Sequence, residues 1–262
     1  MCGICGWFEF TPRVGFDARR VVAEGMNTTL VHRGPNDAGV VIFDKAALAM
    51  SRLSIIDLTA GHQPMINDAE TLAIVYNGEV YNFRHLRQAL ETRGHCFHTR
   101  SDTEVVLHAY EEWGCECVQR LRGMFAFAIY GGRPQATVSC GQPSANGDRL
   151  FLARDRVDKK PLYYYHDTEC FMFASEIKAI LAHPDVPRRI NRRVIPLYLA
   201  YGYIPAPYTT FEGIHELPPG HTLIVQNGQI TVRQYWEVPL ADAVDDQLFE
   251  QECCERLREL LE

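Results

Sequence analysis

The spacing of apolar residues changes period several times along the chain, and each change predicts an element. Residues 3–10 (GICGWFEF) form a nearly continuous apolar run of strand length. From 17 to 30, Val21, Val22, Met26 and Leu30 fall at helical spacing, and His32-Arg33-Gly34-Pro35 then stops the helix. Strands are predicted at 39–43, 46–50 and 71–76, the last ending at Asn77-Gly78, a sharp turn signal. Asn82 is a candidate cap for a helix running to about Arg93, with Gly94 as its stop. Ser101-Asp102-Thr103-Glu104 has capping-box spacing, in which Ser101 and Glu104 satisfy each other's amides. That box opens an amphipathic helix to Trp113, closed by Gly114.

Short strands follow at 124–130, 150–154, 162–166 and 170–174, then a helix from about Glu176 to Leu181. Residues 222–226 and 230–234 make a hairpin around Asn227-Gly228. From Asp242 onward, Val244, Leu248, Cys253, Leu257 and Leu260 or Leu261 share one face, which predicts a helix with an apolar stripe. The stretch 132–148 is rich in Gly, Pro, Ser, Asn and Gln and reads as a long exposed loop. This order holds too many hairpins for a doubly wound sheet. Two antiparallel sheets with the early helices packed outside fit it better. No internal repeat interrupts the pattern.

Composition narrows the class. A chain of 262 residues can bury one large core or two modest ones. With 26 Lys plus Arg against 33 Asp plus Glu, the net charge of -7 disfavours polyanionic partners. The basic run Arg188, Arg189, Arg192, Arg193 lacks interleaved aromatics and does not read as a nucleic-acid surface. No stretch approaches the length of a membrane span, and the first apolar run carries Glu9 and turns at Thr11-Pro12 without a basic segment before it, unlike a signal peptide. The nine cysteines are an odd number, and Cys115/Cys117 and Cys253/Cys254 sit too close for an ordinary disulfide framework. Free thiols and a cytoplasmic location are therefore expected.

The terminus, Met1-Cys2-Gly3-Ile4-Cys5-Gly6-Trp7-Phe8, offers the most pointed chemistry. As a C-x-x-C pair, Cys2 and Cys5 lack the second close pair a structural zinc needs, because Cys115 and Cys117 are one residue apart. They also lack the helix start that activates a redox pair, and Cys5 reads as a small core residue. Alternatively, removal of Met1 would leave Cys2 with a thiol beside a free α-amine. That amine titrates near the thiol and can take its proton, directly or through water, for attack on an acyl carbon. Spacing alone leaves open whether Cys2 is this nucleophile or a buried structural residue.

A set of motifs in register adds to this reading. They are Met1-Cys2-Gly3-Ile4, His32-Arg33-Gly34-Pro35, Ser51-Arg52-Leu53-Ser54-Ile55-Ile56-Asp57, Tyr76-Asn77-Gly78-Glu79-Val80-Tyr81-Asn82 and Ser101-Asp102-Thr103-Glu104. Further on come Arg122 to Ala128, Ala153-Arg154-Asp155-Arg156, Lys160 to Tyr164 and Phe173 to Ala179. Together they resemble the class II, N-terminal-nucleophile (Ntn) glutamine amidotransferases of the asparagine synthetase branch, with similarity running through Tyr235-Trp236. The resemblance implies an α+β fold, a four-layer α/β/β/α sandwich of two antiparallel sheets, over residues 1–240. The segment 241–262 would be an amphipathic helix that begins a synthetase domain or docks a partner.

The resemblance also implies roles. Cys2 would be the nucleophile that releases ammonia from L-glutamine. Asn77, through its side-chain amide, and Gly78, through its backbone N–H, would form the oxyanion hole. Arg52 would hold the substrate carboxylate, and Glu79 and Asp102 its ammonium. His32, Arg33 and Gly34 would shape the pocket wall. No metal or cofactor is expected in this chain; ATP and magnesium would serve only the absent synthetase domain, supplied in cis or in trans. A homodimer is a further partner expectation, and nucleic acid and membrane are not. Two other readings stay open: a non-catalytic relative that binds a partner, and a glutaminase feeding a different amide synthetase.

Three departures from the family pattern stand out. Asn36 precedes Asp37 where the family places Asp directly after His-Arg-Gly-Pro. Asp158 stands where the family has Gly, and the 132–148 stretch is an insertion. The phosphate loop Ser-Gly-Gly-x-Asp-Ser is missing, so this polypeptide alone is not expected to activate aspartate. It would be either an excised glutaminase half or a short protein passing ammonia to a separate synthetase.

Overall fold

The computed structural model describes residues 1–53, 61–131, 148–239 and 250–261. In chain order the elements are β1 (Gly3–Glu9), α1 (Phe16–Thr28), β2 (Asp37–Ile42), β3 (Ala46–Arg52), β4 (Met65–Ile66), β5 (Leu72–Val80), α2 (Phe83–Glu91), α3 (Asp102–Trp113) and α4 (Cys117–Arg120). There follow β6 (Gly123–Gly131), β7 (Arg149–Arg154), β8 (Tyr163–His166), β9 (Cys170–Ala174), α5 (Ile177–Leu181), α6 (Ile195–Tyr201), β10 (Ile214–Glu216), β11 (His221–Gln226), β12 (Gln229–Gln234) and α7 (Glu250–Leu261).

The strands form two six-stranded sheets, ordered β10-β8-β9-β1-β3-β2 and β12-β11-β7-β6-β5-β4, and every pairing is antiparallel. Strand alternation divides the core into layers. Along β1, Ile4 and Phe8 face the second sheet and meet Ala126, Ala128 and Leu152, while Cys5 and Trp7 face α1 and α5. Along β6 the other parity holds: Phe125, Phe127 and Ile129 pack against Leu86 and Leu90 of α2 and Val105 and Val106 of α3. The result is the expected α/β/β/α sandwich, and Cys5 is a core residue as expected.

Several local expectations change. The chain does not turn at Asn77-Gly78; β5 runs through both, with Asn77 opposite Ala126 and Gly78 opposite Phe125. A long-range ladder with β6 overrides the local turn preference, and a side chain at 78 would meet the Met124 carbonyl at 2.5 Å. Asn82 precedes α2 without capping it. Its amide instead donates to the Arg120 carbonyl at 3.0 Å and accepts from Arg122 N–H at 2.9 Å. The capping box is half formed. Ser101 Oγ accepts from Glu104 N–H at 3.3 Å, but the Glu104 carboxylate turns to the amides of His98 and Thr99. Asp158 adopts the left-handed conformation with φ 61° and pairs with Arg154.

The 132–148 insertion lies outside the described residues except Asp148, which pairs with Lys45 at 2.9 Å. Residues 240–249 lie outside as well, with Val244 and Leu248 of the predicted stripe. Within α7, Cys253 and Leu257 are exposed. Among the described residues no helix is long and apolar enough to cross a membrane.

His183 gives the fold a pH dependence. Its ring packs edge-on against Trp7, with centroids 4.3 Å apart, and Nδ1 accepts from the Asp185 amide at 3.3 Å. Burial pushes its pKa down to about 4, against the pull of the Asp185 and Asp167 carboxylates. Between pH 4 and 6.5 the unfolded chain therefore binds a proton that the folded chain refuses. The stabilisation is complete above about pH 6.5 and is lost as pH falls toward 4, at most roughly 3 kcal/mol. Urea unfolding from pH 7 to 4.5 should show this slope, and His183→Gln should flatten it.

Candidate active site

The site grows from the end of the β1–β3 ladder. Gly3 pairs with Ser51, which sets Cys2 beside Leu53, one residue past the strand end. The Leu53 N–H donates to Cys2 Sγ at 3.4 Å, and Sγ lies 3.7 Å from the Leu53 carbonyl. Just inside, Ile4 N–H donates to Ser175 Oγ at 3.1 Å, and Ser175 N–H donates to the Ile4 carbonyl at 2.8 Å. The start of the chain is thereby held on both sides.

Across from Cys2, β5 contributes Tyr76, Asn77, Gly78 and Glu79, and the start of α3 contributes Asp102. These residues line one cavity of about 340 Å³ with Cys2, Arg52, Gln63, Met124 and Lys160. Six sequence-predicted residues thus meet at a single cavity: Cys2, Arg52, Asn77, Gly78, Glu79 and Asp102. Asn77 Nδ2 is buried and has no hydrogen-bond partner among the described residues. A buried amide donor left open in a cavity wall is costly unless a ligand completes it.

His32, Arg33 and Gly34 do not line this cavity among the described residues. They act one layer behind it. Arg33 Nε donates to the Cys2 carbonyl at 3.0 Å, and its Nη1 donates to Glu176 at 2.9 Å. His32 Nε2 and Lys178 Nζ also lie on Glu176, at 2.9 and 3.1 Å. Burial would raise the Glu176 carboxyl, but the Arg33, Lys178 and His32 hydrogen bonds outweigh it and bring it down to about 2. Gly34 backs onto the strand end carrying Arg52, where an added Cβ would lie 2.2 Å from the Ser51 carbonyl oxygen. Asn36 likewise stays outside the cavity, its N–H donating to the Arg52 carbonyl at 3.1 Å.

The cavity is electrically divided. Burial raises the Cys2 thiol, while the Leu53 amide and the charges of the chain terminus, Arg52 and Lys160 oppose that rise. Burial also raises Asp102. Tyr76 Oη, at 2.6 Å, and Val80 N–H, at 3.0 Å, donate to its Oδ2 and favour the anion. Tyr76 is in turn pushed well up by burial and then by Asp102. Burial lowers Lys160, opposed first by the field of Cys2. Gln63 braces the arrangement: its amide donates to Thr103 Oγ1 at 3.0 Å and its carbonyl accepts from Tyr76 N–H at 2.7 Å.

Lys160, Gln63 and Tyr76 were not singled out as site residues by sequence. Lys160 and Tyr76 stand inside recognised motifs, so a signal existed, but nothing local aims either at Cys2. The arrangement holds a thiol, an open amide donor, two cations and two carboxylates around a space the size of a small polar molecule. It suits a ligand carrying both charges of a free amino acid.

Two antiparallel sheets packed between helices are the class II (Ntn-type) glutamine amidotransferase fold. The family model described as "Glutamine amidotransferase domain" matches residues 1–236. Asparagine synthetase [glutamine-hydrolyzing] 3 of Bacillus subtilis is 38% identical over 94% of this chain and 39% of the relative. A putative asparagine synthetase [glutamine-hydrolyzing] 2 of Methanocaldococcus jannaschii is 35% identical over 91% of this chain and 47% of the relative. The solved glutamine phosphoribosylpyrophosphate amidotransferase from B. subtilis shares the fold with TM-score 0.60, at 20% identity, over 90% of this chain and 49% of that one. The chain belongs to the glutamine amidotransferase domain family, as an N-terminal glutaminase-type domain of the asparagine synthetase (glutamine-hydrolyzing) branch. It spans less than half the length of these curated relatives.

The tight backing at Gly34 yields a direct test. Gly34→Ala must push the Ser51–Arg52 backbone aside, and should cost about 1–3 kcal/mol in urea unfolding.

Proposed function

We propose that this domain hydrolyses L-glutamine to L-glutamate and ammonia through a thioester on Cys2. The observation that carries this reading is Asn77 Nδ2, a buried donor with no hydrogen-bond partner among the described residues, in the wall of the cavity that holds Cys2. Removal of Met1 frees the Cys2 α-amine, which takes the thiol proton. The thiolate then attacks the glutamine side-chain carbon; a C–S bond forms and the carbonyl becomes an oxyanion. Asn77 Nδ2 and the Gly78 N–H stabilise that charge, which exists only in the tetrahedral state. Collapse breaks the C–N bond, the leaving nitrogen takes the proton back from the α-ammonium, and ammonia departs. Water then cleaves the thioester and restores the thiol.

Binding follows from the divided field. Arg52 pairs with the α-carboxylate through its planar fork, and Glu79 and Asp102 receive the α-ammonium. Lys160 adds a second positive charge near Cys2, which favours the thiolate against burial. Ammonia passes to an asparagine-synthetase-type domain, in cis or in trans, where ATP and magnesium serve the amidation of aspartate. The exposed apolar residues Ile195, Tyr198, Leu199 and Tyr201 on α6 support a docking face for that domain. The domain limit near residue 240 and the docking role of α7 belong to the same reading. So does a cytoplasmic location, supported by the absence of disulfides among the described cysteines.

Intact mass should show the mature protein lighter by one methionine, and an electrophilic glutamine analogue should add to Cys2 alone. Cys2→Ala should abolish ammonia release, and Asn77→Ala should lower kcat about 10²–10³-fold. Glutaminase activity in a preparation that retains Met1 would overturn the free-amine step. Complete retention of Met1 without activity would favour the non-catalytic, partner-binding reading.

Asp102 supplies a pH test. Burial already raises its carboxyl, and the Tyr76 hydrogen bond opposes that rise. Tyr76→Phe removes a contact that favours the anion, so the Asp102 pKa climbs further. The acid limb of kcat/KM should move to higher pH in this variant.

A further inference from the structure

Away from the cavity, three side chains converge near the surface of α3. His108 and Glu111 lie one turn apart on that helix, and His95 comes from the segment that follows α2. His108 Nδ1 stands 3.3 Å from His95 Nδ1 and 2.5 Å from Glu111 Oε2, and His95 Nδ1 is 3.6 Å from the same carboxylate oxygen. We infer that His95 Nδ1, His108 Nδ1 and Glu111 Oε2 form a binding site for a zinc-type divalent cation.

Proton counting supports a cation at this point. The His108 Nδ1 position carries at most one hydrogen, yet it faces two acceptors. Glu112 Oε2 lies 3.3 Å from His95 Nε2 and favours the proton there, which leaves His95 Nδ1 with a lone pair pointing inward. Asn67 Nδ2 donates to Glu111 Oε1 at 2.7 Å, so Oε2 is the oxygen left to the cluster. Ligating imidazoles and carboxylates are held by such outer partners.

The spacing fits a small tetrahedral ion. Two nitrogens at about 2.0–2.1 Å from one zinc stand about 3.3–3.4 Å apart. The two Nδ1 atoms already show this separation. Only the short His108–Glu111 contact has to open, by roughly 0.8 Å, to reach the same geometry. Two imidazoles with one carboxylate are borderline donors that suit zinc and leave a fourth position for water.

Binding would tie the segment around His95 to α3, the helix that begins at Asp102. Glu104 already fastens the same segment through the His98 and Thr99 amides, at 2.7 and 2.8 Å. The cation therefore acts as a structural clip, and its binding does not depend on glutamine hydrolysis.

Titration of the chelator-stripped full chain with Co²⁺, a spectroscopic stand-in, provides the test. One equivalent should bind with visible d–d absorption and no thiolate charge-transfer band, and Zn²⁺ should displace it. One equivalent of Zn²⁺ should raise the unfolding temperature of the parent protein. His95→Asn and Glu111→Gln should each weaken binding at least tenfold and remove the thermal shift, while circular dichroism confirms folding. Should one variant fail to fold, the other alone decides. A thiolate band, no stoichiometric binding, or affinity unchanged in the folded variants would overturn the site.

Discussion

The hydrogen bond from Arg33 to the Cys2 carbonyl is the constraint on which the site depends. Chain ends fray unless backbone bonds hold them, and a frayed Cys2 could not share a cavity with Asn77. The β1–β3 ladder holds Gly3, but Cys2 lies one residue outside it. Arg33 closes that gap from the loop after α1, and it is itself fixed by Glu176. Four polar side chains thus converge on one carbonyl: Arg33 directly, and Glu176, His32 and Lys178 behind it. Such a network costs desolvation, and its return here is position more than stability.

The same economy shapes the cavity. Burial works against three of the charges at the cavity, raising Cys2 and Asp102 and lowering Lys160. Each has a counterweight. Leu53 N–H and the cations favour the thiolate, Tyr76 and Val80 favour the Asp102 anion, and Cys2 first among others favours the Lys160 ammonium. A low-polarity space with opposed charges at its ends strengthens recognition of a zwitterion and leaves the middle free for reaction.

Much of this was legible in the sequence. Apolar runs of strand length located the long strands, because each buries both of its faces, and turn residues separated most of them. The cavity residues were legible through motifs that each span a few positions. What stayed hidden depends on long-range partners. Asn77-Gly78 reads as a turn in isolation and becomes strand only through nine paired positions with β6. Asn82 and Glu104 look like caps, yet their side chains find Arg120 and Thr99, which no local rule names. Lys160 lies in a recognised motif, but its approach to Cys2 follows from the turn around Asp155. There Oδ2 accepts the Lys160 N–H at 2.9 Å and Oδ1 the Lys159 N–H at 3.0 Å. The placing of His95 over α3 was hidden for the same reason.

The end of the chain joins these threads. Met1 is 56% exposed at the cavity, whereas Cys2 is already fixed by its carbonyl and its sulfur. The two contacts that hold Cys2 use neither Met1 nor the Cys2 nitrogen. Cleavage of the Met1–Cys2 bond therefore leaves the scaffold intact and changes one group only, converting an amide nitrogen into an amine. An amide cannot take a proton from a thiol at neutral pH, and an amine can. A nearby histidine could supply a base elsewhere in a fold, but no histidine lines this cavity among the described residues. Under the proposed mechanism the terminal amine fills that role, and the placement of the nucleophile at the chain end follows from it.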